Sequence, residues 1–277
     1  MKGNQMKLAF TTLACPKWTL EQAADAAKRY GYEGLELRLL DGELLQPNLS
    51  IEARRRVRKV SKDSGIPIMC VDTSVRIAQP DATERAAQTR DGLALLEMAA
   101  EWGAPFIRVF GGPPEGAAEA DVISAAVECL AALAKRGREL GVSAVLETHD
   151  AFCRSTTVMQ IMNQIPGPGA GVLWDIMHPF RMGELAPETL ARFGDRLQHV
   201  HVKDGRRPAD GSANWDLTLL GEGEIPTRDI LAALHKGGYT GWLAVEWEKK
   251  WHPEIAEPEV ALPQHAQVMR QYLAGLG

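Results

Sequence analysis

Residues 137–150 read GRELGVSAVLETHD, and this stretch decides the fold. It opens on the tail of a segment rich in Ala, Leu, Glu and Arg. Gly141 follows where a left-handed helix cap belongs. A short apolar run then ends on the carboxylate of Glu147. The same cadence recurs as AAKRYGYEGLEL (26–37), SKDSGIPIMCV (61–71), AAEWGAPFIRV (99–109) and LHKGGYTGWLAVE (234–246), with Gly31, Gly65, Gly103 and Gly238 in the capping position. Repeated helix, glycine and doubly buried strand imply a parallel sheet with helices outside it.

Working outward, strands are expected at 7–11, 34–37, 67–71, 106–110, 143–147, 171–175, 197–202 and 242–247. The first helix opens with Thr19-Leu20-Glu21-Gln22, a capping box that satisfies free backbone N–H groups. Further helices fit 50–64, 82–102, 119–140, 157–164, 187–193, 227–236 and 262–273. Eight strands interleaved with helices favour a closed (β/α)8 TIM barrel of the α/β class, one domain spanning 1–277. No G-x-G-x-x-G opens the first helix, so a Rossmann sheet lacks its main support. The longest irregular piece, 204–226, follows the seventh strand, and barrels build their active face from such loops.

Composition agrees. The 277 residues suit one barrel, and 45% hydrophobic with 24% charged residues is ordinary for a globular core. A net charge of -5 argues against a dedicated nucleic-acid binder. The N-terminus carries no apolar run of signal-peptide length, and no stretch reaches the ~20 apolar residues of a membrane helix, so a cytoplasmic protein without membrane partners is expected. Met6 offers an alternative start. Cys15, Cys70, Cys129 and Cys153 lie far apart, which speaks against disulfides and against a thiolate zinc site.

Polar residues gather at the C-terminal ends of the expected strands: Glu36 and Arg38, Asp72, Arg108, Glu147 with His149, Asp175 with His178, then His199, His201 and Lys203 at period two, and Glu246 with Glu248. In a barrel these ends meet at one mouth. Carboxylates meeting there repel and raise one another's pKa unless a cation joins them, and a divalent ion would do so. Three carboxylates with one imidazole make a hard site that suits Mn²⁺, Mg²⁺, Co²⁺ or Fe²⁺ better than structural zinc.

The strings LETHD (146–150), LWDIMHP (173–179), HVHVKD (199–204), LGEGEIP (220–226) and AVEWE (244–248), in this order, resemble the xylose isomerase-like TIM-barrel superfamily. That superfamily includes sugar-phosphate isomerases/epimerases, ketose 3-epimerases, hydroxypyruvate isomerase, inosose dehydratase and 3-dehydroshikimate dehydratase. The resemblance implies one divalent metal ion held by Glu147, Asp175, His201 and Glu246, with Mn²⁺ first among the candidates and Zn²⁺ also compatible. It implies Glu147 and Glu246 as the catalytic acid/base pair and His178 in contact with a small polyhydroxy carbonyl substrate. It also leaves room for a homo-oligomer.

Each candidate has a plainer reading. His178 is a substrate contact or a helix-start residue bonded to backbone. His149 faces the mouth with Glu147 and either touches substrate or only lines the rim, and His199, nearer the barrel floor, reads as a satisfied core histidine. Lys203 either neutralises an enolate oxygen or pairs with Asp204. Arg108 lines the mouth or, like Glu36 and Arg38, joins an ion-pair network closing the barrel. Arg206 and Arg207 grip a phosphate or carboxylate, or are simply solvated. Trp215, Trp247 and Trp251 stack on a sugar ring or wall the pocket against water, while Trp18 and Trp102 are expected to pack. The implied reaction is isomerisation or epimerisation through an enediolate, and a metal-dependent dehydratase is the runner-up. An endonuclease IV-like phosphodiesterase is disfavoured, because Val71-Asp72-Thr73, Val109-Phe110-Gly111 and Asp204-Gly205-Arg206 lack the histidines of its extra metals. A non-catalytic sugar-binding barrel stands as a third class.

Overall fold

A glycine after a helix lets the chain turn into the left-handed region without a Cβ clash. Gly31, Gly65, Gly103 and Gly141 do this, at φ 79, 72, 73 and 71°. The fifth expected cap differs: the helix before Trp242 ends on Gly237 in right-handed geometry, and Gly238 next to it takes the positive φ of 77°.

The structure is a computed structural model that describes residues 6–211 and 215–276. In chain order its strands are β1 (Lys7–Thr11), β2 (Gly34–Leu37), β3 (Leu39–Leu40), β4 (Glu43–Leu44), β5 (Ile68–Arg76), β6 (Phe106–Phe110), β7 (Ser143–Glu147), β8 (Ala170–Asp175), β9 (Leu197–Val202), β10 (Asp204–Arg206), β11 (Asp216–Thr218) and β12 (Trp242–Val245). Its α-helices are α1 (Leu20–Tyr30), α2 (Ile51–Ser64), α3 (Ala82–Trp102), α4 (Glu119–Leu140), α5 (Ser155–Met162), α6 (Met177–Arg181), α7 (Ala186–Phe193), α8 (Thr227–Lys236) and α9 (Pro258–Ala274). The ring order β1-β12-β9-β8-β7-β6-β5-β2 closes a TIM barrel, and the register is parallel at every join, from β1 against β2 and β12 round to β8 against β9. Two hairpins, β3–β4 and β10–β11, stand outside the ring.

Several boundaries move. The third barrel strand runs on to Arg76, with a register shift between Asp72 and Arg76 against β6. The eighth stops at Val245, so Glu246 lies just past the strand end. The final helix starts at Pro258 and keeps Pro263 inside it. A short helix not separated in the sequence reading, α6, carries His178 and Arg181 on adjacent turns. Of the irregular 204–226 segment, Ser212, Ala213 and Asn214 lie outside the described residues.

The main core packs helices against the outer faces of the strands. A smaller cluster of Ala9, Met69, Cys70 and Ala244 lies beneath the polar mouth, Ala9 two residues before Thr11 and Ala244 two before Glu246. This division leaves the strand ends free to carry charge. Among the described residues no helix is long and apolar enough to cross a membrane.

Candidate active site

Parallel strands bring their C-terminal ends to one rim, and the register sets who meets whom. Asp175 pairs in register with His201, and His201 with Ala244, two residues before Glu246. Glu147, Asp175, His201 and Glu246 come together as the sequence implied: one ligand atom from each lies within 4.8 Å of the others, and all four residues are buried. His201 Nδ1 stands 3.4 Å from Glu147 Oε1 and 3.5 Å from Glu246 Oε1. Three other groupings, Glu147/His149/His178, Glu36/Cys70/His199 and Glu36/Asp72/His201, are also compact. The four-residue set is distinguished by its donors. Glu147 Oε1 and His201 Nδ1 are buried without a hydrogen-bond partner and face each other at 3.4 Å. Buried polar atoms are ordinarily satisfied, so orphans pointing together fit a cation.

The sequence reading joined these carboxylates through a divalent ion; the chain also supplies two cations of its own. Lys203 Nζ lies 2.8 Å from each of Asp175 Oδ2, Glu246 Oε2 and Glu248 Oε1. Arg108 donates through Nη1 to Glu147 Oε2 at 2.8 Å, and its guanidinium lies 3.8 Å above the Phe110 ring. The two glutamates are therefore held alike: one oxygen faces a basic side chain and the other faces His201.

The charges follow from this. Burial works to raise the Glu147 carboxyl, but the Arg108 guanidinium and the neighbouring His201 imidazole prevail and bring it down to about 2. Burial is likewise outweighed at Glu246, which Lys203 and His201 hold well below the usual carboxylate range. Asp175 goes the other way: burial, with Glu246 and Glu147 close by and only Lys203 and His201 in opposition, raises it to about 6. His178 is pushed well below its usual value by burial and by the Lys203 charge, so it stays neutral.

Lys203 does not pair with Asp204, which is fully committed elsewhere. Asp204 Oδ1 accepts from Gly205 N at 2.8 Å and Ile225 N at 3.1 Å, and its Oδ2 accepts from Gly221 N at 2.9 Å and Gly223 N at 3.1 Å. A Cβ on Gly223 would sit 2.1 Å from Asp204 Oδ1, so only glycine fits there. The LGEGEIP string is thus a clamp that folds the loop after β9 back on Asp204.

Above the four residues opens a cleft of about 280 Å³ lined by His149, Asp150, Met177, His178, Arg181, Trp215, Leu217, Glu248 and His252. His178 Nε2 lies 3.5 Å from Asp175 Oδ2, and the His149 ring meets the His178 ring edge-on at 4.7 Å. Asp150 holds His149 Nδ1 at 2.8 Å from a left-handed backbone, φ 49°. Strain of this kind gathers at functional sites.

Arg206 is not brought to the cleft. It is exposed and donates to the Glu222 carbonyl at 2.6 Å, bracing the β10–β11 hairpin. Arg207 lies over the Trp215 ring at 5.7 Å. Arg181, which the sequence reading passed over, lines the cleft instead. Its recorded partner is the Cys153 sulfur at 3.3 Å, a weak acceptor, and among the described residues no carboxylate lies within ion-pair distance of it. Its spacing of three from His178 was the available signal. Glu248 was also missed as a Lys203 partner.

Of the remaining candidates, Trp215 walls the cleft, Trp247 is buried with its N–H on the Ala256 carbonyl, and Trp251 is exposed. Trp18 and Trp102 donate to Glu259 and to the Arg54 carbonyl, which suits packing roles. Arg38 is buried and donates to the Asp72 carbonyl and the Ser74 hydroxyl, so it ties the rim through neutral acceptors where the plainer reading expected an ion pair.

Comparison with known proteins bears on the fold and the family. Fructoselysine 3-epimerase of Escherichia coli O157:H7 is 22% identical over 253 residues, covering 87% of this chain and 90% of that one. Inosose dehydratase of Lacticaseibacillus casei is 31% identical over 140 residues, 46% of each chain. A crystal structure of IOLI protein with a bound zinc atom superposes with a TM-score of 0.84 at 18% identity, covering 98% of this chain and 99% of the other, a likeness of fold. A model of the xylose isomerase-like TIM barrel matches residues 24–272, and the chain belongs to that family.

Proposed function

We propose that this protein is a divalent-metal-dependent isomerase or epimerase of a small polyhydroxy carbonyl compound. The observation that carries the reading is the meeting of Glu147, Asp175, His201 and Glu246, buried, with ligand atoms within 4.8 Å of one another beneath an open cleft. These four residues would hold the ion. When bound, a divalent cation supplies Lewis acidity toward the carbonyl and neighbouring hydroxyl of an α-hydroxyketone. Mn²⁺ suits the donor set, and Mg²⁺, Co²⁺, Fe²⁺ and Zn²⁺ remain compatible with it.

The proton transfers belong to the chain. Arg108 and Lys203 keep Glu147 and Glu246 ionised, as a general base must be. Glu147 ends β7 and Glu246 follows β12, with β8 and β9 between them, so the two reach a substrate from different sides. One takes the α proton and later gives it up to solvent; the other takes a proton from solvent and passes it to the opposite face, which inverts the centre, while delivery to the neighbouring carbon interconverts aldose and ketose. Neutral His178 offers a hydrogen bond to a substrate oxygen, and His149 and Trp215 wall the cleft. Arg181 is placed to bind an oxygen of the distal end.

The stretch shared with inosose dehydratase favours a second reading, in which the same enediolate expels a β-hydroxyl. Proton NMR in D₂O separates the two, with a panel of ketoses, sugar phosphates, inosose and 3-dehydroshikimate offered to Mn²⁺-loaded protein and the metal removed before each spectrum. Deuterium beside the carbonyl of an epimer or isomer is expected. A new conjugated enone moves the protein to the lyases. No change in any compound, with metal still bound, overturns the catalytic reading.

A further inference from the structure

The H-x-H spacing of β9 puts His199 and His201 on one inward face, a layer apart. Glu36 reaches them from β2, three joins away around the ring through β1 and β12. Its two oxygens are divided between them: Oε1 lies 3.0 Å from His199 Nε2, and Oε2 lies 3.0 Å from His201 Nε2. The first contact is a formed hydrogen bond. The second is close enough to bond but not aligned in this arrangement, which leaves both its atoms without a partner. All three side chains are fully buried, so water cannot substitute for either contact. The Phe106 ring stacks on His199 at 5.8 Å and fixes its plane.

We propose that Glu36 is a positioning residue for the metal site, acting across the barrel through His201. An imidazole with its Nε2 proton on a carboxylate presents a bare Nδ1 lone pair. Here that nitrogen is the atom that faces Glu147 and Glu246. Glu36 thereby selects the tautomer of His201 and its ring orientation, and His199, held by Phe106, keeps Glu36 in place. Such carboxylate–histidine pairs raise the basicity of the ligand and orient it. The buried ion-pair network at the barrel closure is in this account one device with the ligand set above it. This inference rests on the metal reading of the proposed function.

The chemistry of glutamine provides the test. A glutamine in place of Glu36 offers one acceptor and one NH₂ donor where two imidazole N–H groups need two acceptors. One ring must move its proton, and on His201 the proton would occupy the ligand nitrogen. Glu36→Gln is expected to weaken Mn²⁺ binding about 10- to 100-fold, measured by chelator competition on folded protein. A purely structural Glu36 would lower the melting temperature and leave the metal affinity of the folded molecule unchanged. An affinity within threefold of wild type therefore overturns the proposal.

If Glu36→Gln does not fold, the wild type still decides. Long-range ¹H–¹⁵N correlation on histidine-labelled protein loaded with Zn²⁺ is expected to show His201 protonated at Nε2 and coordinated at Nδ1. Coordination through Nε2, or an Nε2 without a proton, refutes the assignment. A wild-type protein that binds neither Mn²⁺ nor Zn²⁺ removes the metal reading and this inference together. A wild type that binds metal beside a Glu36→Gln variant that binds it equally removes the inference alone.

Discussion

Replacing Lys203 with methionine tests the charge arrangement without any knowledge of the substrate. Lys203 is 2% exposed, and its ammonium touches Asp175, Glu246 and Glu248 at 2.8 Å each. Methionine keeps most of the volume and removes the charge, leaving buried carboxylates facing one another. Removing one partner of a buried ion pair costs about 3–5 kcal/mol. Unfolding entropy near 2.1 cal/mol/K per residue makes each kcal/mol worth about 2 °C in a chain of this length, so metal-free Lys203→Met should melt roughly 5–9 °C lower.

A divalent ion changes that figure, because it neutralises Asp175 and Glu246 directly. Glu248, whose side chain is 20% exposed, can then turn toward His252 and solvent. With saturating Mn²⁺ the loss should shrink to about 1–2 kcal/mol, or about 2–4 °C. The thermodynamic cycle requires the missing 2–3 kcal/mol to reappear as metal affinity, so Lys203→Met should bind Mn²⁺ roughly 30- to 150-fold tighter. The assay is thermal unfolding with chelator and with Mn²⁺ at mildly alkaline pH, above the Asp175 value of about 6, alongside a competition titration. A metal-free variant that melts with wild type would show that the ammonium is not paired as described. An equal loss with and without Mn²⁺ would show that Lys203 and the metal do not share carboxylates, and the proposed site would fall.

Glu147→Gln and Glu246→Gln should each keep the fold and abolish turnover, and near wild-type exchange of solvent deuterium into product by either variant refutes the acid/base pair. Arg181→Gln should raise KM severalfold with kcat little changed, whereas Arg206→Ala should leave both unaltered; steady-state kinetics on the substrate found in the D₂O screen checks the contrast, and the reverse pattern would restore Arg206 to the site. His265 is buried against the Trp247 ring, and burial lowers it from 6.5 to about 4. Above pH 6.5 neither folded nor unfolded chain carries its proton; between 6.5 and about 4 only the unfolded chain does, so stability falls through that window by up to about 3 kcal/mol and levels below it. His265→Gln should flatten this acid limb in denaturant titrations, and an unchanged limb would show that other groups govern it.

The barrel was legible in the sequence because its signals are local. A glycine cap followed by a doubly apolar run specifies a helix and a buried strand within a dozen residues; five segments show it, and the eight strands they help to place close in few ways. The candidate ligand set had a different source: topology brings many polar strand ends to one rim, and the resemblance carried by the five strings singled out Glu147, Asp175, His201 and Glu246 among them. The helix α6 was not, because Pro179 interrupts its pattern and five residues carry no periodicity.

What local pattern cannot carry is the choice of partner. Lys203 stands next to Asp204 in the chain, yet it faces three other carboxylates while Asp204 ties down four backbone N–H groups. Successive strand residues point to opposite sides, so adjacency in sequence separates them in space. Arg206 and Arg181 both follow strand ends, and nothing in their neighbours ranks them. The hairpin turns one out to Glu222, and a turn of helix directs the other into the cleft. Glu36 meets His199 and His201 across 163 and 165 residues of chain, a contact that exists only once the ring has closed. Sequence by itself determined the architecture and the roster of charged groups, since both depend on spacing; the tertiary structure alone decided which charges meet, since that depends on the closure of the barrel.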